Sequence, residues 1–320
     1  MKVFITGAAG YIGSTLCRML LSEGYEVTGI DKLLFGGKSL LGLLQSSNFR
    51  FIKEDIYNTS SYESLIDSKT SVVHLAAIVG EPASRKMPEE VIKTNLEATK
   101  KIINLAVKKK IEKFIFASTC SNYGKCRQQE PATEEFEINP LSLYAKTKVQ
   151  IEKYLANEVK DKLDWTILRL ATVYGISPRL RLDLTVNDFT IHAVVDRKLV
   201  IFLPKSNRPY VHLMDVGKAV QLVLSSMNST AQEVFNVGDT KENYQKIDIA
   251  NKIKKIVGDF SVEFVKKGKD LRDYKVSFEK IKRKLNYRTT RTVSDGIKEI
   301  AFIVKNRIIT DFDNKEYYNC

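Results

Sequence analysis

The chain has 320 residues and a formal net charge of +13, with 43% hydrophobic and 28% charged residues. These values match soluble globular proteins, exclude disordered and fibrous classes, and allow one large domain or two modest ones. No apolar run approaches the roughly 20 residues of a membrane span.

The opening segment, MKVFITGAAGYIG, leads straight into a strand pattern and leaves no room for a signal peptide. Lys2–Thr6 reads as a short buried strand and Ile12–Glu23 as a helix ending at Gly24. Strands follow over Glu26–Ile30, Phe49–Lys53 and Ser71–Leu75. Next come a helix over about Pro88–Lys109, a strand over Lys113–Ala117, a helix over Leu143–Val159 and a strand over Asp164–Leu170. This alternation predicts an α/β fold with a parallel sheet covered by helices on both faces. After Gly175 the rhythm breaks around Pro178, Pro204 and Pro209. Short helices (about Asp215–Ser226 and Ile247–Val257) and short strands (Val234–Val237, Val262–Val265) then suggest a smaller second domain.

Four cysteines (Cys17, Cys120, Cys126, Cys320) form no CxxC pair and have no nearby histidines, which points to a reducing cytoplasm and against disulfides or a metal site. Only 14 of the basic residues are Arg. Lysine runs such as Lys108-Lys109-Lys110 fall on helix faces without interleaved aromatics, which argues against nucleic acid. A Lys-rich surface also attracts phosphorylated small molecules.

Gly7-Ala8-Ala9-Gly10-Tyr11-Ile12-Gly13 lies between the first strand and the first helix, the context a glycine fingerprint requires. Gly7 permits the sharp turn, Gly10 lets the backbone approach a pyrophosphate, and Gly13 lets helix and strand pack closely. The second strand runs into Asp31, 18 residues after Gly13, where an acid would hold a ribose diol. Asp31 would repel the 2′-phosphate of NADP, so NAD is favoured, although Lys32 keeps the other cofactor open. The bland alternative is a tight turn with an ordinary capping Asp. Asp55-Ile56 follows the third strand where an adenine could sit, and Leu75-Ala76-Ala77 supplies small residues that let a flat cofactor pass. His74 reads as a core histidine.

Tyr144 and Lys148 are four apart and share a helix face, whereas Lys146 points away. A neighbouring ammonium, with the positive nicotinamide ring of NAD, would lower the phenol pKa and let Tyr144 take a proton from an alcohol. Ser118-Thr119-Cys120-Ser121 offers hydroxyls to orient that alcohol.

With these residues in order, the chain resembles the extended short-chain dehydrogenases/reductases of the nucleotide-sugar epimerase/dehydratase family. The motifs are TGAAGYIG at 6–13, Asp31, Asp55-Ile56, HLAA at 74–77, Asn95, FASTCSNYG at 116–124, YAKTK at 144–148, LRLATVYG at 168–175 and RPYVHLMD at 208–215. The resemblance implies a Rossmann-type doubly wound parallel sheet over 1–175, with part of about 210–240 returning to it, and a smaller mixed α/β nucleotide-sugar domain over 176–320. It makes Tyr144 the base, Lys148 the residue on the nicotinamide ribose, and Thr119 the hydroxyl that bonds the reacting alcohol. Gly7, Gly10, Tyr11, Ile12 and Gly13 would line the pyrophosphate. Asp31 and Lys32 would flank the adenosine ribose, Asp55 and Ile56 the adenine, and Leu75, Ala76, Ala77 and Asn95 the rest of the cofactor. Arg208 matches the family arginine on the substrate diphosphate, and Asp270 and Arg272 fall in a later phosphate-binding segment. Thr172 stands where epimerases usually carry Asn.

The implied function is NAD-dependent oxidation of a sugar hydroxyl, at C4, of a nucleotide-diphosphate sugar, ending in epimerisation or net dehydrogenation. Alternatives are a 4-keto-sugar reductase and a non-catalytic binding member, including RNA-binding relatives. The family dehydratases place carboxylates just after the catalytic Thr, where this chain reads Cys120-Ser121-Asn122. Cys120 is expected to be a packed thiol. The resemblance also implies a homodimer or higher homo-oligomer, paired through the helices near 90–109 and 144–159.

Overall fold

The computed structural model describes residues 1–126, 130–266 and 272–319. Seven strands form one parallel sheet: β1 (Lys2–Thr6), β2 (Glu26–Asp31), β3 (Phe49–Lys53), β4 (Thr70–His74), β5 (Lys113–Thr119), β6 (Trp165–Leu170) and, after an interval, β10 (Glu233–Val237). Their order is β3-β2-β1-β4-β5-β6-β10. Central strands such as Trp165–Leu170 are buried at every position, which is why they read as apolar runs rather than alternating patterns.

Helices cover both faces. Leu16 and Leu20 of the Tyr11–Ser22 helix pack with Val216, Val220 and Val223 of the Leu213–Ser225 helix on one side. Ile102 and Ile103 pack with Ile151 and Leu155 on the other. The sheet is therefore of the Rossmann type, and β1 and β4 are the neighbours between which strand order reverses. Crevices outside the carboxyl ends of such a strand pair are where open α/β sheets bind ligands.

Two departures from the sequence pattern bear on the site. The helix expected over 88–109 consists of Pro88–Ile92, a π-helical Lys93–Ala98 and Thr99–Lys109. The Thr99 hydroxyl bonds the Thr94 carbonyl five residues back, and the widened turn carries Asn95 to the loop after β4. The second half holds strands that the proline-rich stretches concealed. A three-stranded sheet β11-β9-β7 is built from β7 (Thr172–Tyr174), β9 (Asn207–His212) and β11 (Asn243–Gln245). A parallel pair joins β8 (Lys198–Phe202) to β12 (Ser261–Val265), the strand expected over Val262–Val265. A separate core of Phe189, Ile249, Ile253 and Ile297 lies beneath them. Among the described residues, no helix is long and apolar enough to cross a membrane.

Candidate active site

The glycine turn sits at the switch point. Gly7 adopts φ +74°, and a Cβ there would lie 2.9 Å from the Ala76 backbone nitrogen, so β1 and the Leu75-Ala76-Ala77 segment meet without space for a side chain. A Cβ on Gly13 would lie 2.0 Å from the Gly7 carbonyl oxygen. Thr6 locks the same junction, its hydroxyl accepting from Leu75 and Ala76 backbone amides at 3.2 and 3.1 Å. The Tyr11–Ser22 helix begins at Gly10 with no side-chain cap and no acid in its first turn. Its leading N–H groups are thereby left for an anion. Among the described residues, a Cβ on Gly10 would meet only the Gly7 peptide, so a phosphate can take the place a side chain would fill.

Asp31 ends β2 with both carboxylate oxygens held, Oδ1 accepting from Leu33 N at 2.7 Å and Oδ2 from Ala9 N at 3.1 Å. Burial raises its pKa, opposed by those two bonds and by nearby Arg179 and Lys32. An oriented, half-buried carboxylate of this kind suits a ribose diol. Lys32 reaches Asp55 at 3.4 Å, and Asp55 also accepts from Tyr57 N at 2.9 Å. Ile56 is buried beside them. These residues fit a dinucleotide with its adenosine end over β2 and its diphosphate over the glycine turn. The Asn95 amide is committed to protein, accepting from Ile78 N at 2.8 Å and donating to Ile78 O at 2.9 Å, so it fixes the loop after β4. His74 bonds the Thr6 and Thr99 hydroxyls at 2.9 Å each, and burial pushes it down to about 3, a neutral core imidazole.

The second cluster lies at the carboxyl end of β5. Ser142 caps the Leu143–Glu158 helix by accepting from Ala145 N at 3.1 Å, which sets Tyr144 in the first turn and Lys148 one turn on. Thr119, at the end of β5, lies beside Tyr144, and its Oγ1 accepts from Ser121 N at 3.1 Å. Lys148 Nζ donates to the Ala117 carbonyl at 2.7 Å and lies 5.9 Å from the Tyr144 ring centre. Burial pushes Lys148 down to about 7 and Tyr144 up to about 12; Thr119, Arg181 and Arg272 oppose the rise. The guanidiniums of Arg181 and Arg272 favour the phenolate.

Ser118 is a second correction. Successive strand residues face opposite sides, and the Ser118 hydroxyl donates to Glu152 in a buried network away from Tyr144. Glu152 also accepts from Asn122 Nδ2 at 2.8 Å and pairs with Arg169 at 2.7 Å. The Cys120 thiol donates to the Arg169 carbonyl at 3.2 Å, and burial holds it protonated. Ser121 faces the other way, bonded to Arg272 Nη1 at 2.9 Å and to the Tyr274 hydroxyl at 3.3 Å. Arg208 lies over the Tyr274 ring and donates to the Arg272 carbonyl. Thr172 is half-buried on β7, paired with Tyr210 of β9. Asp270 lies outside the described residues.

Sequence reasoning missed Glu152, Arg181 and Tyr274. Glu152 had a usable signal, since it extends the Tyr144, Lys148 spacing by one more turn. The other two come from irregular segments with no periodicity to read.

The sequence profile of the NAD dependent epimerase/dehydratase family matches residues 3–238. The uncharacterized UDP-glucose epimerase YtcB of Bacillus subtilis (strain 168) is 31% identical, the match covering 95% of this chain and 98% of that one. UDP-glucuronic acid 4-epimerase of Bacillus cereus, solved with UDP-glucuronic acid and NAD, superposes with a TM-score of 0.86 at 31% identity, covering 96% and 99% of the two chains. DesIV, a dTDP-glucose 4,6-dehydratase of Streptomyces venezuelae solved with NAD and TYD, gives 0.85 at 25% identity, covering 96% and 98%. With the glycine turn, Asp31 and the Thr119–Tyr144–Lys148 cluster at one sheet edge, this chain belongs to the NAD-dependent epimerase/dehydratase family.

Proposed function

We propose that the protein oxidises the C4 hydroxyl of a nucleotide-diphosphate sugar with bound NAD and then reduces the keto-sugar from its other face, a 4-epimerisation. The observation that carries this reading is Thr119 beside Tyr144, with Lys148 one helical turn on from the tyrosine. NAD, when bound, supplies the hydride acceptor and later returns the hydride. Tyr144 takes the proton from the sugar hydroxyl and gives it back at the opposite face, while Thr119 orients that hydroxyl. Lys148, anchored on the Ala117 carbonyl, would hold the nicotinamide ribose. Arg208 and Arg272 supply planar donors suited to the substrate diphosphate. Relatives named for UDP-glucose and UDP-glucuronate support a UDP-sugar.

Dehydration requires a carboxylate beside Thr119. Cys120 is tied to Arg169 and Asn122 to Glu152, and Ser121 has no acidic group, so hydride transfer at one carbon is the chemistry these residues support. Incubation with UDP-glucose and UDP-glucuronic acid, followed by product mass and stereochemistry, tests the reading. Unchanged mass with inverted C4 is expected. Loss of two hydrogens with accumulating NADH would assign a net 4-dehydrogenase instead, and a product lighter by one water would overturn both.

A further inference from the structure

One buried cation has no role in the chemistry above. Arg179, in the loop between β7 and the Thr185–Val195 helix, is only 6% exposed. Its Nη2 donates to the Tyr318 carbonyl at 3.3 Å, and its guanidinium carbon lies 4.2 Å from the Phe35 ring centre. Its Nε has no hydrogen-bond partner among the described residues. A buried charged donor left unsatisfied carries a full desolvation penalty, so a fold that keeps one is holding it for an acceptor.

The surroundings identify that acceptor. Two residues earlier, the Ser177 hydroxyl donates to the Tyr11 carbonyl at 2.7 Å and lies 3.3 Å from Ser14 Oγ, which docks the loop on the first turn of the glycine helix. On the other side, Phe35 belongs to the segment following Asp31, and Ser39 of that segment donates to the Ala9 carbonyl at 2.8 Å. Asp31 itself is within electrostatic reach of Arg179. The loop that carries Arg179 is thus docked on the uncapped helix start, and its guanidinium faces the segment that follows Asp31. We infer that Arg179 binds the phosphate oxygens of the ADP half of the dinucleotide, a ligand delivered by the second half of the chain. This rests on the cofactor reading above. The C-terminal residues hold the loop in place, with Leu182 N donating to the Tyr317 carbonyl at 2.9 Å in addition to the Arg179–Tyr318 bond.

The test is calorimetric titration of nucleotide-free protein with NAD, ADP and adenosine, beside its thermal unfolding. Arg179→Met should weaken NAD and ADP by about tenfold or more and leave adenosine within about twofold. The nucleotide-free variant should melt at or above the wild-type temperature, because an apolar chain replaces a poorly satisfied buried cation. Arg179→Lys keeps the charge without the fork and should fall between the two, which carries the test if the Met variant does not fold. NAD affinity within twofold of wild type in either folded variant overturns the inference. So does a lower melting temperature with unchanged affinity, the mark of a purely structural arginine. Wild-type protein that binds no NAD would overturn the cofactor reading along with it, whereas binding that is indifferent to residue 179 overturns this inference alone.

Discussion

Glu152 and Arg169 form a buried ion pair at 2.7 Å that joins the helix carrying Tyr144 and Lys148 to the strand beside the Thr119 loop. Both side chains are nearly inaccessible, and Glu152 also holds Ser118 and Asn122. Removing one partner of such a pair strands the other charge in the interior. Glu152→Ala should therefore destabilise the fold by about 3–5 kcal/mol in urea unfolding. A loss below about 1 kcal/mol would mean that water reaches Arg169 and the pair is not structural.

Tyr144→Phe keeps the ring and removes the proton acceptor. Turnover should fall by about 10²–10⁴-fold while substrate and NAD affinities change little. Near-normal turnover would refute Tyr144 as the base and leave Thr119 to be tested next.

Lys148 links the site to pH. Burial holds it at about 7 against an ordinary 10.5. The folded protein consequently binds fewer protons than the unfolded chain between about pH 7 and 10.5. The contribution of this group to stability rises with pH through that window and is flat below it. The unfolding free energy of wild type minus that of Lys148→Met should grow from pH 7 to pH 10. A pH-independent difference would show that the ammonium is solvated.

Cofactor choice depends on Asp31. Its carboxylate is held by two backbone amides, and Lys32 is engaged with Asp55, so a 2′-phosphate would meet a fixed negative charge. NADP should bind at least about tenfold more weakly than NAD, and Asp31→Asn should narrow the gap. Equal dissociation constants for the wild-type protein would point to Lys32 or Arg179 as dominant.

Much of this architecture is local in origin and legible in the residues alone. Strands β1, β4, β5 and β6 are buried at nearly every position and read as largely apolar and β-branched runs, so each declares itself without its partners. Gly7 and Gly13 are required by backbone contacts within one turn and its neighbouring strand, and Tyr144 and Lys148 share a face through helical geometry alone. The tertiary structure decided what depends on distant segments and on access to water. It turned Ser118 toward Glu152 and away from Tyr144. It brought Arg181 and Arg272 near the phenol and set β10 beside β6. It spent Asn95 on Ile78 through a π-turn and left Arg179 Nε buried without a partner among the described residues. A pattern of residue types carries periodicity, but the burial and the long-range contacts that fix a pKa or orient a side chain exist only once the chain has closed on itself.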